Sequence, residues 1–137
     1  MHPGDPDDLN GAGGDILERV RAFFEKKTAE AEQHGVNKNR LCFDPGIGFG
    51  KTNEENFALI ANPEKIRVPG TALLMAASRK RVIGAVCGNP PFEDRMAGTV
   101  AAHTASVLFG ADMVRAHDTF EAVQAARVAD AIKQFRK

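Results

Sequence analysis

Residues 40–51 read Arg40-Leu41-Cys42-Phe43-Asp44-Pro45-Gly46-Ile47-Gly48-Phe49-Gly50-Lys51. The short run Arg40 to Phe43 is the pattern of a buried strand. The stretch from Asp44 to Lys51 is the pattern of a ligand-facing loop: an acid at the strand end, then three glycines, then a lysine. Glycine lets the backbone turn sharply and come close to a ligand. Asp44 stands where its carboxylate can accept hydrogen bonds from a ligand's amino groups. The plainer reading is a tight strand-to-helix turn with a solvated acid, since loops favour glycine anyway. Pro45 and Phe49 weigh against it, because a phenylalanine held in a turn packs on something.

Working outward, the chain alternates helices and strands. Residues 1–14 are rich in Pro, Gly and Asp and keep no apolar period, so they read as loop. Asp15 is an N-cap for a helix on which Ile16, Leu17, Val20, Phe23, Phe24 and Ala31 recur at helical spacing, and Gly35 closes it. After the glycine loop, Thr52-Asn53-Glu54-Glu55 is a capping box for a short helix carrying Phe57, Leu59 and Ile60, ended by Asn62-Pro63. Thr71 to Ala77 is a second apolar strand without alternation, which predicts cover on both faces as in a parallel sheet. Val82 to Val86 reads as a helical turn, and Cys87-Gly88-Asn89-Pro90-Pro91 breaks the chain. Arg95 to Phe109 is a long Ala-rich helix stopped by Gly110, and Met113 to His117 is a third strand. Asp118 caps the last helix with Glu121 three residues on; its expected buried face is Phe120, Val123, Ala126, Val128, Ile132 and Phe135.

Strands alternating with helices predict right-handed crossover units and a parallel sheet, hence an α/β fold. Three polar clusters then fall at strand C-terminal ends, the edge that carries the site in parallel α/β folds. Besides Asp44 and its glycines these are Ser78-Arg79-Lys80-Arg81 and Arg115-Ala116-His117. Taken alone, three successive cations read as a solvated basic turn. The site reading needs Lys80 to lean over the strand ends with its stem on a ring, and Arg81 to lie near a helix N-terminus. Alternation places Arg115 and His117 on one face with Ala116 on the other, a pair suited to clamping a phosphate. Read as two buried cations they need an anionic partner, which puts the clamp ahead of the competing readings, an ion pair with Asp44 or Asp112 or a core histidine bonded to backbone. His103, inside an Ala-rich helix, reads as structural.

Composition narrows the classes. The 137 residues hold one domain at most, and 18 basic against 18 acidic residues leave no footprint for nucleic acid or a membrane surface. No apolar run has the length of a membrane span and no signal-peptide pattern opens the chain, which predicts a cytoplasmic protein. The isolated Cys42 and Cys87 read as reduced thiols. No Ser-His-Asp or Cys-His constellation is visible along the chain, which suits a reaction that needs no strong base.

The three motifs, in that order, resemble the C-terminal half of the dihydropteroate synthase family, and the opening Met1-His2 is similar to that family's segment at the end of the fifth strand. The resemblance covers essentially the whole chain. It implies that residues 1–137 are the C-terminal half of a pterin-binding (β/α)8 barrel domain, a partial TIM barrel of parallel strands and intervening helices. It also implies a transferase of folate biosynthesis that joins 4-aminobenzoate to 6-hydroxymethyl-7,8-dihydropterin pyrophosphate, releasing pyrophosphate and forming 7,8-dihydropteroate. On that resemblance Asp44 and Lys80 hold the pterin, and Arg115 and His117 hold the departing pyrophosphate. Gly48 and Phe49 belong to the substrate pocket, Phe49 on the aminobenzoate side. Arg81 stands near the aminobenzoate carboxylate where the family often has Ser, and a guanidinium can still pair with a carboxylate. Sulfonamides would compete for this pocket.

The resemblance also implies Mg2+, with its main protein ligand in an N-terminal half that this sequence does not contain. A full barrel of this kind runs to roughly 250 residues. A few strands cannot close one, so the chain alone is expected to be inactive or nearly so. A homodimer through the late helices and a complementing N-terminal half both stay open as partners. So do two other functions: a methyl-tetrahydrofolate-dependent methyltransferase on a related barrel, against which Arg115 and His117 argue, and a non-catalytic half-barrel interaction module.

Overall fold

The computed structural model describes residues 14–136. Met1-His2 and nearly all of the stretch read as an opening loop lie outside the described residues. Helix α1 (Ile16–Gln33) begins where Asp15 Oδ1 accepts the Leu17 N–H at 3.0 Å. It ends where Gly35 turns left-handed and the Val36 N–H reaches back to the Ala31 carbonyl at 2.9 Å. Its buried face is Ile16, Val20, Phe24 and Thr28. Phe24 stacks on Phe43 of strand β1 (Cys42–Phe43) with ring centroids 4.5 Å apart, pinning the helix to the sheet. β1 is shorter than the sequence suggests because Lys38–Arg40 is a 3-10 turn. The Asn37 side chain captures the Asn39 N–H there and holds Arg40 out of the strand.

Helix α2 (Asn53–Ala61) carries the expected capping box, with both reciprocal Thr52–Glu55 bonds made. Pro63 ends it and, at the N-terminal position it favours, starts an extra helix, α3 (Pro63–Ile66). Strand β2 (Ala72–Met75), helix α4 (Arg81–Val86), a 3-10 turn at Phe92–Arg95 and helix α5 (Met96–Leu108) come next. Arg95 closes that turn and does not start α5. Strand β3 (Met113–Val114) and helix α6 (Thr119–Lys133) complete the order.

The sheet is parallel, in the order β1-β2-β3, with Phe43 beside Leu73 and Met75 beside Val114. Leu73 and Met75 join Val20, Phe24, Leu59, Ile60 and Ile66 in the hydrophobic core. Ala72 and Leu74, on the opposite face, are only half-buried. The expected absence of alternation therefore holds in composition and not in burial: the helices cover one face more fully than the other. β3 stops at Val114, short of the expected His117. The Arg115 N–H still bonds the Met75 carbonyl at 3.1 Å, but the His117 N–H turns to the Ser78 hydroxyl at 3.1 Å and leaves the ladder.

The last helix corrects a larger expectation. Phe120 is 71% exposed and Phe135 85%, with Val123, Val128 and Ile132 about half exposed. Ala126 is half-buried and the fully buried residue is Ala129. α6 lies against α5, and small side chains let the two backbones approach while the large apolar ones project from the remaining surface. Asp118 precedes α6 but makes no side-chain cap bond, because its carboxylate is taken by Arg79. No helix among the described residues is long and apolar enough to cross a membrane.

Candidate functional site

The loop after β1 is built to hold a shape. Asp44 Oδ1 accepts the Gly46 N–H at 2.8 Å, which turns the chain at once and leaves Oδ2 toward the rim. Gly48 sits at φ +82°, its N–H donates to Asn56 Oδ1 at 2.7 Å, and a Cβ there would come within 3.2 Å of Lys80 Cδ. The positive φ favours glycine, and the Lys80 stem leaves little room for a side chain. Asn56, buried on α2, uses its amide N–H groups on the Thr52 carbonyl at 2.7 Å and the Lys51 carbonyl at 3.4 Å. Lys51 does not reach outward. Its ammonium ties the Gly46 and Phe49 carbonyls at 3.1 and 2.9 Å, and burial lowers its pKa from the ordinary lysine value.

Lys80 crosses from the second rim loop to the first. Its ammonium bonds the Ile47 carbonyl and lies 4.8 Å from the centroid of the half-exposed Phe49 ring. Burial pushes its pKa down, Asp44 opposes that and Arg115 adds to it. Lys80 thus divides two adjoining clefts. One, of about 280 Å³, is lined by Gly48, Phe49, Lys51, Asn53, Asn56 and Arg81 among others. The other, of about 410 Å³, is lined by Ala76, Ser78, Arg115, Ala116 and His117 together with Lys80. Arg81, the first residue of α4, is exposed at the mouth of the first cleft.

The third cluster joins from β3. Arg115 faces Asp44 Oδ2 at 3.7 Å, with side-chain exposures of 69% and 13%. That geometry satisfies the ion-pair reading, and it corrects the expectation of two buried cations: Arg115 and His117 are both exposed, because the segment beyond Val114 runs along a sheet edge with no further strand beside it among the described residues. Ala116, expected on the opposite face, lines the same cleft as its neighbours, since strand alternation has already ended. Asp44, Lys80, Arg115 and His117 therefore share one rim.

Two supports were not singled out in the sequence. Arg79, in the left-handed region at φ +54°, holds Asp118 through Nε at 2.9 Å and through Nη2, and its guanidinium covers the Phe92 ring. That pairing raises the Arg79 pKa and lowers that of Asp118. Asn56 had a visible signal, an amide at i with Leu59 and Ile60 at i+3 and i+4 on the buried face. The Arg79–Asp118 pair had none, since nothing local links the second and third rim loops. Among the described residues no group of three or more His, Cys, Asp or Glu side chains could hold a metal ion.

Residues 1–117 match the family model described as pterin binding enzyme. The chain belongs to that family. Dihydropteroate synthase of Synechocystis sp. is 37% identical over 119 residues, covering 87% of this chain and 41% of the relative. The Escherichia coli K12 enzyme is 36% identical over 117 residues, covering 85% and 41%. Of solved structures, Xanthomonas albilineans dihydropteroate synthase with 4-aminobenzoic acid superposes with a TM-score of 0.85 at 36% identity, covering 97% of this chain and 47% of that one. The same enzyme in complex with 7,8-dihydropteroate gives 0.84. The chain thus spans less than half the length of these relatives, and its parallel strands and helices are part of a (β/α)8 barrel.

Proposed function

We propose that residues 1–137 form the C-terminal half of a dihydropteroate synthase barrel domain and grip both substrates of that reaction, dihydropterin pyrophosphate and 4-aminobenzoate. The observation that carries this reading is the shared rim: a desolvated lysine divides two clefts, an Arg–His pair lines one of them, and the Asp44 carboxylate stands 3.7 Å from Arg115. In this reading the outward Oδ2 of Asp44 and the Lys80 ammonium hold the pterin, while Arg115 and His117 bind its pyrophosphate. Phe49 forms a wall of the aminobenzoate cleft, Gly48 gives close backbone approach, and Arg81 pairs with the carboxylate.

The chemistry suits those groups. The C–O bond to pyrophosphate breaks, positive charge spreads over the pterin, the aromatic amine forms the new C–N bond, and a proton leaves the amine. A carboxylate favours the developing cation, and Arg115 with His117 favours the leaving anion. The magnesium that the resemblance implies would take its main ligand from residues outside this sequence, and no step is assigned to it. Competition by sulfonamides and a cytoplasmic location belong to the same proposal.

The exposed apolar face of α6 and the outer edges of β1 and β3 support a need for a further surface, from a complementing half or from a second copy. The purified chain is accordingly expected to show no sustained dihydropteroate production from the two substrates, and robust steady-state turnover would overturn that expectation. Calorimetric titration separates the chemistries: pyrophosphate is expected to bind and methyl-tetrahydrofolate is not. The reverse result would favour methyl transfer.

A further inference from the structure

We propose that Ser78 is a positioning residue that sets the tautomer of His117, leaving Nε2–H as the one ring donor available to an anion in the cleft. The inference rests on the proposed role of His117 and goes beyond it. The Ser78 hydroxyl is buried and meets His117 twice. Its oxygen accepts the His117 backbone N–H at 3.1 Å, and it lies 2.8 Å from the ring Nδ1. A serine hydroxyl has one hydrogen and two lone pairs. One lone pair is used by the backbone N–H, and Nδ1 is the acceptor the structure offers for the hydrogen. Were Nδ1 protonated instead, the serine hydrogen would be buried with no acceptor given to it, which is costly. Hydrogen-bond accounting therefore assigns Ser78 as donor, Nδ1 as acceptor and the ring proton to Nε2.

The corner is held from a second side. Arg79, next to Ser78, grips Asp118, next to His117, so two consecutive residues of one rim loop hold two of the other. The Phe92 ring stands edge-on to the imidazole at 5.3 Å, limiting its swing. His117 thus enters the cleft it shares with Lys80 and Arg115 with its orientation and its donor already chosen.

The test is 15N NMR of the imidazole in the full chain, combined with calorimetric titration of inorganic pyrophosphate. Nδ1 is expected to resonate as an unprotonated nitrogen and Nε2 as a protonated one; Ser78→Ala should convert this to a mixture of tautomers, and Ser78→Thr, which keeps the hydroxyl, should restore it. Pyrophosphate affinity should fall ~3–10-fold in Ser78→Ala, the worth of one oriented hydrogen bond, and Ser78→Ala should add nothing to His117→Ala. A wild-type ring protonated on Nδ1, or a tautomer unchanged in Ser78→Ala, overturns the assignment. If Ser78→Ala does not fold, the wild-type and Ser78→Thr spectra decide alone. A chain with the expected tautomer whose pyrophosphate affinity ignores His117→Ala would sink the anion-binding role and leave the tautomer assignment standing.

Discussion

The rim and the last helix invert the usual arrangement. At the rim, the supporting polar groups are buried even though Arg115 and His117 are exposed: Asn56 and Ser78 are almost fully enclosed, and Lys80 gives up hydration to lie on Phe49. On α6 and just past its end, apolar groups are exposed, Phe120 and Phe135 most of all. The rim polar groups tolerate burial because each donor and acceptor is met from a neighbouring loop, as Asn56 is by Gly48, Lys51 and Thr52. The α6 side chains have no such closure among the described residues. The difference separates polar groups satisfied by neighbours within this chain from apolar groups left in solvent among the described residues.

The strongest challenge to that contrast is Asn56→Leu. It would strand the Gly48 N–H and two carbonyls while keeping the side-chain volume, and should destabilise the fold by about 2–4 kcal/mol, measured by urea unfolding. Retained stability would mean that the rim loop does not depend on its staple.

Acid probes the next level. His103 is 2% exposed, its Nε2 accepts the Ala77 N–H at 3.2 Å, and Nδ1 has no hydrogen-bond partner. Burial pushes its pKa down from 6.5 to about 4. Between those values the unfolded chain binds more protons than the folded one, so stability rises with pH there. The contribution is whole above pH 6.5 and is lost as pH falls toward 4. Unfolding midpoints should therefore drop between about pH 7 and pH 5 in the wild type, and drop less in His103→Gln.

Lys80→Met sharpens the comparison by separating function from fold. The charged form of Lys80 is disfavoured by burial, so removing it should change stability by no more than about 1 kcal/mol at neutral pH. Ligand affinity at the divided clefts should nevertheless fall by a factor of ~10–100. Equal loss of both would make Lys80 a structural residue.

The smallest effect belongs to α6. Phe120→Ser should alter the chain's own stability by less than about 0.5 kcal/mol and shift sedimentation toward the monomer wherever the face is in use. A loss of several kcal/mol would show that this face is part of the core.

Much of the fold was legible because its signals are local. The Asp15 cap, the Thr52–Glu55 box, the Gly35 stop and the apolar run in β2 each depend on a few adjacent residues. The strand ends were less legible: Asn37 and Ser78 divert backbone donors that a ladder would otherwise use, and Ser78 does so across 39 positions. The candidate site residues could be named from their motifs, but the exposure of Arg115 could not, since it depends on what stands beyond β3.

By itself, then, the order of residue types determined which segments become helix or strand, that the strands are parallel, and which polar residues gather at their ends, because periodicity, capping and glycine freedom act over a few residues. Only the tertiary structure decided that Lys80 divides two clefts, that Asn56 and Ser78 hold the rim, and that the last helix keeps its large side chains in solvent. Burial and hydrogen bonds between loops are properties of neighbours in space, which local periodicity does not encode, as where Ser78 meets His117 across 39 positions.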